Sequence, residues 1–501
     1  MKKMSKRKKK NASVSGITAF IFLIIVILLP LYMENKYYNI VDAKAHALSV
    51  ILGFAWFLML SSVGLSRADC LDRSKPDALD LSVIAFGLVA VISCLFSGEF
   101  TNAFFGSYGW GIGGFVIFSL TALYLFVSRT IRVGKNMLIP AAVVATFAAV
   151  LTVLHSMNVD LFSMHLGIDE KQTYLFKSTL GNLNAHSGYV CLLFPVILIL
   201  FIKESDRKAL IWEGIGATAL LAEAVFGCTD SVYLGIGLCA FFAVPYVCRS
   251  TQRVRRVCLL IIVYGLLLLC AGQLECFADS TKALGGLAQR MCSLRISLVI
   301  TAVGALAYLL LRFCPNALDK PCIRKALIAL LELLLLSTAA YFAVDMLQNF
   351  SDSWGTNRGK IWRLSLEEYR NLPLGKKLFG IGPEMQQTVL TEAWKRKLPV
   401  YTCHSEPIQI LLTMGISGLA CWATAYGTVI VRAVRDKIWR FDRMIYVLPI
   451  IAYLGQSFVN SAVATNVGIL CLALACYRCS DKAITMKEKN NNNTNKIRRN
   501  S

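Results

Sequence analysis

Apolar runs long enough to cross a lipid bilayer recur along the whole chain of 501 residues. Hydrophobic residues make up 56% of the sequence and charged residues only 16%, whereas soluble domains carry about 25% charged residues. Inside lipid every backbone N–H and C=O must find a partner within its own segment, so each run must form a helix. The sequence therefore predicts an all-α, polytopic integral membrane protein with about 14 transmembrane helices.

Two alternating kinds of loop separate the predicted spans. One kind is short and rich in Arg and Lys, and the other is longer and mixed in charge. Because basic loops stay in the cytoplasm, this alternation predicts that both termini are cytoplasmic. The predicted spans cover residues 13–33, 45–65, 78–96, 110–128, 137–155, 186–202, 210–228, 231–248, 257–274, 293–311, 326–347, 411–431, 444–460 and 462–478.

A net charge of +22 is typical of nucleic-acid-binding proteins, but here its distribution indicates another cause. Basic residues gather in a predicted cytoplasmic N-terminus, 1–12, and in a predicted disordered, Asn-rich cytoplasmic tail, 479–501. Basic flanks of this kind fix membrane orientation and contact anionic lipid. We therefore expect membrane lipids, and no nucleic acid, among the partners. The first run, 13–33, is too long for a signal peptide and is predicted to be an uncleaved anchor.

The 17 cysteines do not follow a disulfide or zinc-binding pattern. Most lie inside predicted spans, where they act as small apolar residues. Cys276 and Cys292 fall in one predicted external loop, where either a bridge or two free thiols fits the sequence.

The longest predicted external loop, 348–410, follows the first eleven spans (13–347) and precedes the last three (411–478). Loops of this length in compact proteins are usually functional. The positive-inside rule disfavours cations on the outer face, yet this loop collects nine of them: Arg358, Lys360, Arg363, Arg370, Lys376, Lys377, Lys395, Arg396 and Lys397. An anionic ligand on the outer face would explain these cations, and contact with solvent or lipid headgroups is the alternative.

Two residues of this loop carry the chemistry expected of a site. Arg358 falls in the first turn of a helix predicted to end near Asn371, and guanidinium groups suit bidentate contact with phosphate. His404 precedes a helix predicted to begin near Glu406. At a helix N-terminus a histidine stays neutral and is available to accept a proton. A surface or packing role is the alternative for His404.

Three segments together resemble the O-antigen ligase and polymerase superfamily of membrane glycosyltransferases. KSTLGNLNAHSGYV (177–190) resembles its Gly-Asn-x-Asn segment, and NRGKIWRLSLEEYRNLPLGKKLFGIGPE (357–384) resembles its Arg-x-x-x-Trp helix followed by a Gly-x-Gly stretch. CHSEPIQILLTMGISGL (403–419) resembles its His-Asn-x-x-Leu segment. The order and spacing agree over roughly residues 80–475. The chain departs from the family where Ser405 replaces the usual Asn and where no Arg accompanies Ser231.

The resemblance implies an all-helical fold whose large external loop caps a lipid-facing cavity. It also implies transfer of a glycan from an undecaprenyl-diphosphate carrier to an acceptor hydroxyl on a glycan or a lipid, without a metal or other cofactor. The chain would act as a ligase or polymerase in polysaccharide biosynthesis, on the outer face of the bacterial cytoplasmic membrane. Arg358 and His404 would be catalytic. The candidate substrate-binding residues are Asn182, Asn184, Lys177, Arg363, Trp362 and Glu406.

A transporter or flippase of a lipid-linked oligosaccharide is the main alternative. Such proteins carry charged residues deep inside their spans, and here few candidates exist, among them Glu223, Glu332 and Asp345, each near a predicted span end. A flippase also has no need for so large a loop. A non-catalytic assembly or sensing protein is the third possibility.

Overall fold

The computed structural model describes residues 15–66, 75–106, 110–130, 135–274, 287–395, 398–435 and 443–480. Within these ranges the chain is almost entirely helical, and the only sheet is one short antiparallel pair of strands. Nine of the described helices are long and apolar enough to cross a membrane, and five further apolar helices are shorter. The predicted all-α class and the membrane-embedded character are therefore confirmed. The predicted N-terminus 1–12, nearly all of the tail and Cys276 lie outside the described residues.

Each of the fourteen predicted apolar runs overlaps one of these fourteen helices. The strands are β1 (Phe176–Lys177) and β2 (Gly181–Asn182). The helices, numbered in chain order, are α1 (Ser15–Leu31), α2 (Ile40–Ser66), α3 (Ala78–Phe96), α4 (Phe100–Phe105), α5 (Gly114–Thr130), α6 (Lys135–Ser156), α7 (Leu183–Lys203), α8 (Arg207–Phe226), α9 (Ser231–Val247), α10 (Thr251–Gln273), α11 (Leu287–Met291), α12 (Leu294–Phe313), α13 (Pro321–Asn349), α14 (Trp354–Asn371), α15 (Leu374–Phe379), α16 (Gln386–Trp394), α17 (Glu406–Arg435), α18 (Met444–Ser457) and α19 (Ala464–Ser480).

Helix α7 lies at the centre of the bundle. In its apolar stretch 89% of the residues are buried, against none in the apolar stretch of α13. In lipid an apolar side chain gains little by leaving the hydrocarbon, so a helix without buried residues is as stable there as an enclosed one. The central position of α7 matters because its first turn carries residues of the candidate site.

A buried ion network joins α3, α5, α17 and α19 at one end of the bundle. Asp80 is fully buried and contacts Arg478 at 3.0 Å, and the Tyr124 hydroxyl donates to the same carboxylate at 2.8 Å. Asp77 contacts Arg432 at 2.7 Å and Arg478 at 3.0 Å. A buried charge is tolerated only when it is paired and hydrogen-bonded. This ion network therefore fixes the four helix ends relative to one another.

The segment 348–410 contains helices α14, α15 and α16 before α17 begins. Helix α14 ends at Asn371, before Pro373, and α17 begins at Glu406, both where the sequence predicts. The sequence also predicts a short helix from about Pro383 to Lys397, and the structure has it over a shorter range, Gln386–Trp394. The sequence did not predict α15, which packs against α17.

Two glycines allow the chain around α15 to approach the backbone of α17. A Cβ on Gly380 would lie 2.1 Å from the Thr413 carbonyl, and one on Gly415 would lie 2.4 Å from the Leu378 carbonyl. Both glycines have positive φ, +80° and +68°, a conformation that side chains disfavour. The turn after α15 then adds two backbone hydrogen bonds to α17, from Ile381 N to Leu412 O and from Gly382 N to Thr413 O.

Candidate functional site

Arg358 is held at the start of the regular part of α14. The three residues before it, 355–357, all have positive φ and kink the helix. Its Nη2 atom donates to Asn184 Oδ1 at 3.4 Å. Asn184 lies in the first turn of α7, where the side chain of Asn182 caps the helix by accepting from Asn184 N at 2.9 Å. The junction between β2 and α7, in segment 177–190, therefore contacts helix α14, in segment 357–384.

The Arg358 guanidinium is buried, and its Nε–H has no hydrogen-bond partner among the described residues. Burial lowers the pKa of Arg358, and the nearby Asp230 carboxylate opposes that shift. Arginine stays protonated in proteins. The buried cation with an unused donor is therefore suited to bind an anion.

His404 lies beside Arg358 in the loop that leads into α17. Burial, and to a smaller extent the Arg358 charge, together lower the pKa of His404 to about 3. The ring is therefore neutral near pH 7, as its sequence position predicts, but burial rather than a helix dipole is the main cause. Its Nδ1 atom is buried and has no hydrogen-bond partner among the described residues. A neutral imidazole with an unused nitrogen is suited to hydrogen-bond a substrate hydroxyl.

Trp362 and Glu406 support this loop from inside the fold. The indole Nε1 of Trp362 donates to the carbonyl of Cys403 at 3.0 Å. Glu406 accepts a hydrogen bond from the Tyr453 hydroxyl, and its backbone N–H donates to Asn460 O at 3.0 Å. Trp362 therefore holds the backbone next to His404 in place. Glu406 fixes the start of α17 against the loop before α19.

A polar cavity of about 180 Å³ opens beside His404. Three of its lining residues, Thr356, Asn357 and His404, have positive φ without being glycine. Such strained residues cluster at functional sites. The Trp110 and His404 rings meet edge to face, 6.4 Å apart. The lining consists of Trp110, Thr356, Asn357, Ile361, Trp394, Pro399, Val400, Tyr401, Thr402 and His404.

A second cavity, of about 190 Å³ and largely apolar, lies between α3, α5, α17 and α19. Glu384 and Glu406 line it near the start of α17, and Tyr124 lines it near the ion network. Glu384 also accepts a hydrogen bond from Trp110 N at 2.6 Å. Trp110 lines the polar cavity and Glu384 lines the apolar one, so this hydrogen bond lies between the two cavities.

Two predicted substrate-binding residues do not join this cluster. Lys177 is only 2% exposed, and its ammonium group donates to the Phe226 carbonyl at 2.6 Å. Arg363 is on the surface, where it pairs with Asp352 at 2.8 Å and with Glu367 at 3.0 Å. Both cations are occupied by the protein itself, so neither replaces the Arg that is missing beside Ser231.

Three residues that the sequence did not single out belong to the site. Asp230 lies close enough to Arg358 to affect its pKa, although its position before α9 carries no signal of this. Glu384 ends the second family-like segment, and its positive φ of +63° is invisible in a single sequence. Trp110 follows a predicted external loop, which was its only signal.

A separate cluster, His155, Asp160 and His165, has possible metal-ligand atoms within 4.8 Å of one another. The amide of Ser178 donates to His155 Nδ1 at 3.0 Å, so in the neutral ring the proton is on Nε2, the atom that faces the cluster. A protonated nitrogen has no lone pair for a metal. His165 contacts Asp160 at 3.1 Å and the Phe176 carbonyl at 2.9 Å. These contacts indicate a structural clasp that holds the loop before β1.

No protein-family model, curated protein or solved structure matches this chain. The fold itself defines an all-α, membrane-embedded protein with many long apolar helices.

Proposed function

We propose that the chain is a membrane glycosyltransferase of the O-antigen ligase and polymerase type. It would transfer a glycan from an undecaprenyl-diphosphate carrier to an acceptor hydroxyl, on a glycan or a lipid. The observation that carries this proposal is that the Arg358 charge acts on His404, 46 positions away in the sequence, and that His404 lines a polar cavity together with the two residues that precede Arg358. Arg358 and His404 each have an unused, buried nitrogen atom.

The chemistry of the reaction divides between these two residues. The departing diphosphate develops negative charge, and a fixed guanidinium stabilises such charge in a water-poor site. Arg358 takes this role, with Asn184 orienting its guanidinium. Neutral His404 hydrogen-bonds the acceptor hydroxyl and holds it in line with the sugar, because correct positioning alone supplies a large part of catalysis.

The two cavities match the two parts of a lipid-linked glycan. The polar cavity combines the aromatic rings of Trp110, Trp394 and Tyr401 with hydroxyl and amide groups, a combination suited to sugars, which have apolar faces and polar edges. The apolar cavity suits a section of a polyprenyl chain. Their meeting at Trp110 and Glu384 supports one ligand that occupies both.

In the proposed topology all fourteen apolar helices cross the bacterial cytoplasmic membrane, both termini are cytoplasmic, and the segment 348–410 faces outward. The basic loops between alternate helices support this orientation. A membrane-impermeant maleimide should label Arg370→Cys in intact cells above the level of the wild type. Asp319→Cys, in the predicted cytoplasmic loop before α13, should gain label only after lysis. The reverse pattern would place the segment inside the cell and exclude the proposed donor.

The proposal is tested with purified protein in vesicles, supplied with undecaprenyl-diphosphate-linked glycans extracted from the membranes of its natural host. We expect glycan transfer that falls at least about 100-fold in Arg358→Ala and in His404→Ala. Matched controls are Arg370→Ala, an exposed arginine on the same helix, and His46→Ala, an exposed histidine on α2. Both controls should transfer at the wild-type rate.

The alternative, a transporter of lipid-linked oligosaccharides, gives a different result in the same vesicles. Lipid would move across the bilayer without glycan transfer, and Arg358→Ala and His404→Ala would leave that movement unaffected. The ion network favours the enzyme over this alternative. It holds four helix ends together at the end of the apolar cavity near Tyr124, whereas a transporter has to separate helices there to release its substrate.

A further inference from the structure

Glu384 is a buried carboxyl group that no step described so far uses. It is 3% exposed, its backbone is in the left-handed region at φ +63°, and it lines the apolar cavity. Its Oε2 atom accepts from Trp110 N at 2.6 Å and from Gln386 Nε2 at 3.5 Å. A strained backbone that delivers a buried acid to a cavity wall is costly for stability. A functional demand on this acid would account for that cost.

His404, whose ring meets that of Trp110, is a poor candidate for proton acceptor. Burial and the Arg358 charge both disfavour the imidazolium that His404 would become. A carboxylate has the opposite response, because accepting a proton removes its charge and burial then favours the product. Proton acceptors work best when their pKa is near the operating pH, and burial raises the pKa of Glu384 to about 7.

We infer that the Glu384 carboxylate, at the junction of the polar and apolar cavities, is the general base that accepts the proton of the acceptor hydroxyl. This inference rests on the proposed function and assigns a residue to one step of it. Trp110 holds the carboxylate through its backbone N–H and presents its ring to the polar cavity. The acceptor hydroxyl is therefore placed between His404 and Glu384.

The step balances as follows. The acceptor oxygen forms a bond to the anomeric carbon of the donor sugar, while the bond from that carbon to the diphosphate oxygen breaks. The electron pair of the broken bond leaves with the diphosphate, which Arg358 stabilises. The acceptor proton passes to Glu384, which becomes a neutral carboxylic acid and later returns the proton to water.

Two buried carboxyl groups line the apolar cavity, Glu384 and Glu406, so the comparison with Glu384→Gln decides which of them controls the rate near neutral pH. Glu406 lines the same cavity on α17 but accepts a hydrogen bond from Tyr453. In the loop before α17, burial is the main cause that raises the pKa of the Cys403 thiol to about 12, and the Glu384 charge contributes to that rise. Beside these groups lies His404, which is neutral throughout the working range.

The test compares Glu384→Gln with wild type in the transfer assay over a range of pH. Glutamine keeps an oxygen for the Trp110 N–H but cannot accept the proton. For wild type, kcat/KM should rise with pH to a plateau, with a midpoint near 7. In Glu384→Gln we expect kcat to fall about 10²–10⁴-fold, with little change in KM and without the rise near pH 7. Glu384→Asp should restore part of the rate, and Glu392→Gln, an exposed acid on α16, should match wild type.

Infrared difference spectra give a second readout that does not require activity. The wild type should show a protonated-carboxyl signal that disappears near pH 7, and Glu384→Gln should lose the part of that signal which Glu384 contributes. If wild type transfers glycan but Glu384→Gln keeps its rate or its pH midpoint, the assignment of Glu384 is wrong and the proposed function stands. If wild type transfers no glycan, the proposed function and this role for Glu384 both fail.

Discussion

At the scale of single residues, the site depends on how each cation is satisfied. Arg358 has one weak contact, at 3.4 Å, and a buried unused N–H. Arg363 lies five positions away, yet it is neutralised by two carboxylates on the surface. The same residue type is therefore left with an unused donor in one place and is paired on a helix surface in the other, and the difference comes from the partners rather than from the sequence position.

Arg358→Lys should lower kcat by about 10–100-fold although the positive charge is kept. A lysine offers a point charge without the fork that contacts two phosphate oxygens, and a hydrogen bond to a charged group contributes about 1.5–3 kcal/mol. The measurement is the transfer rate at saturating donor. An unchanged rate would mean that only net charge matters at this position.

Glu384→Gln should also change stability in a pH-dependent way. The folded-state pKa of Glu384 is raised to about 7 from an ordinary value of 4.5, so the wild type loses stability as pH rises from 4.5 through 7. The glutamine variant lacks this loss. Thermal unfolding in detergent should therefore show the variant more stable than wild type at pH 8, with a smaller difference at pH 5. A variant less stable at pH 8 would show that the carboxylate stabilises the fold.

The sequence predicted Arg358, His404 and Asn184 because each falls in a short segment with a recognisable pattern. It could not predict that Lys177 is sequestered, because the carbonyl that it contacts belongs to Phe226, 49 positions away. The pairing of Arg363 was partly visible, since Glu367 is one helical turn further on. Long-range contacts are what a single sequence leaves out.

At the scale of helices and loops, the packing of the α15 region on α17 positions the turn that leads to Glu384. Contact between the backbones at Gly380 and Gly415 brings the turn before Glu384 against the first turns of α17. The sequence did not predict α15 because its six residues, LGKKLF, have too few apolar positions for a periodic signal. Only the tertiary contact stabilises so short a helix.

Gly380→Ala should destabilise the protein and reduce transfer. A Cβ at this position would lie 2.1 Å from backbone atoms of α17, and its φ of +80° is unfavourable for alanine. Overpacking of this kind costs about 1–3 kcal/mol, and the left-handed backbone adds to it. Differential scanning of the purified protein measures the change.

Gly427→Ala is the matched control in α17, because a Cβ there meets no atom within 4 Å. It should leave the unfolding temperature unchanged or raise it, since alanine is the better helix former. Equal behaviour of the two variants would mean that the close approach at Gly380 does not hold α15 in place.

At the scale of the whole molecule, the apolar runs were predictable and their arrangement was not. A segment in lipid must satisfy its own backbone, so each run reports its helix locally. The ion network joins residues up to 398 positions apart in the sequence. From the sequence alone, Arg432 is indistinguishable from the other basic residues that flank a span on the cytoplasmic side. The cavities arise from that arrangement and carry no local signal.

Asp80→Asn should lower the free energy of unfolding by about 1.5–3 kcal/mol, because it removes the buried charge that Arg478 contacts at 3.0 Å while Arg478 keeps its contact with Asp77. Chemical denaturation in detergent measures the change. Asp319→Asn removes an exposed carboxylate elsewhere and should have no effect. If Asp80→Asn unfolds like wild type, the network does not hold the helix ends together.

The Tyr124 ring closes one end of the apolar cavity. This ring lines the end of the cavity far from Glu384, and its hydroxyl is hydrogen-bonded to Asp80. A hydrocarbon tail that enters the cavity beside Glu384 would therefore have to leave by the same opening. In the proposed reaction, the carrier lipid left after transfer would occupy the cavity that the next donor needs. Its release, rather than formation of the glycosidic bond, would then limit the rate of turnover.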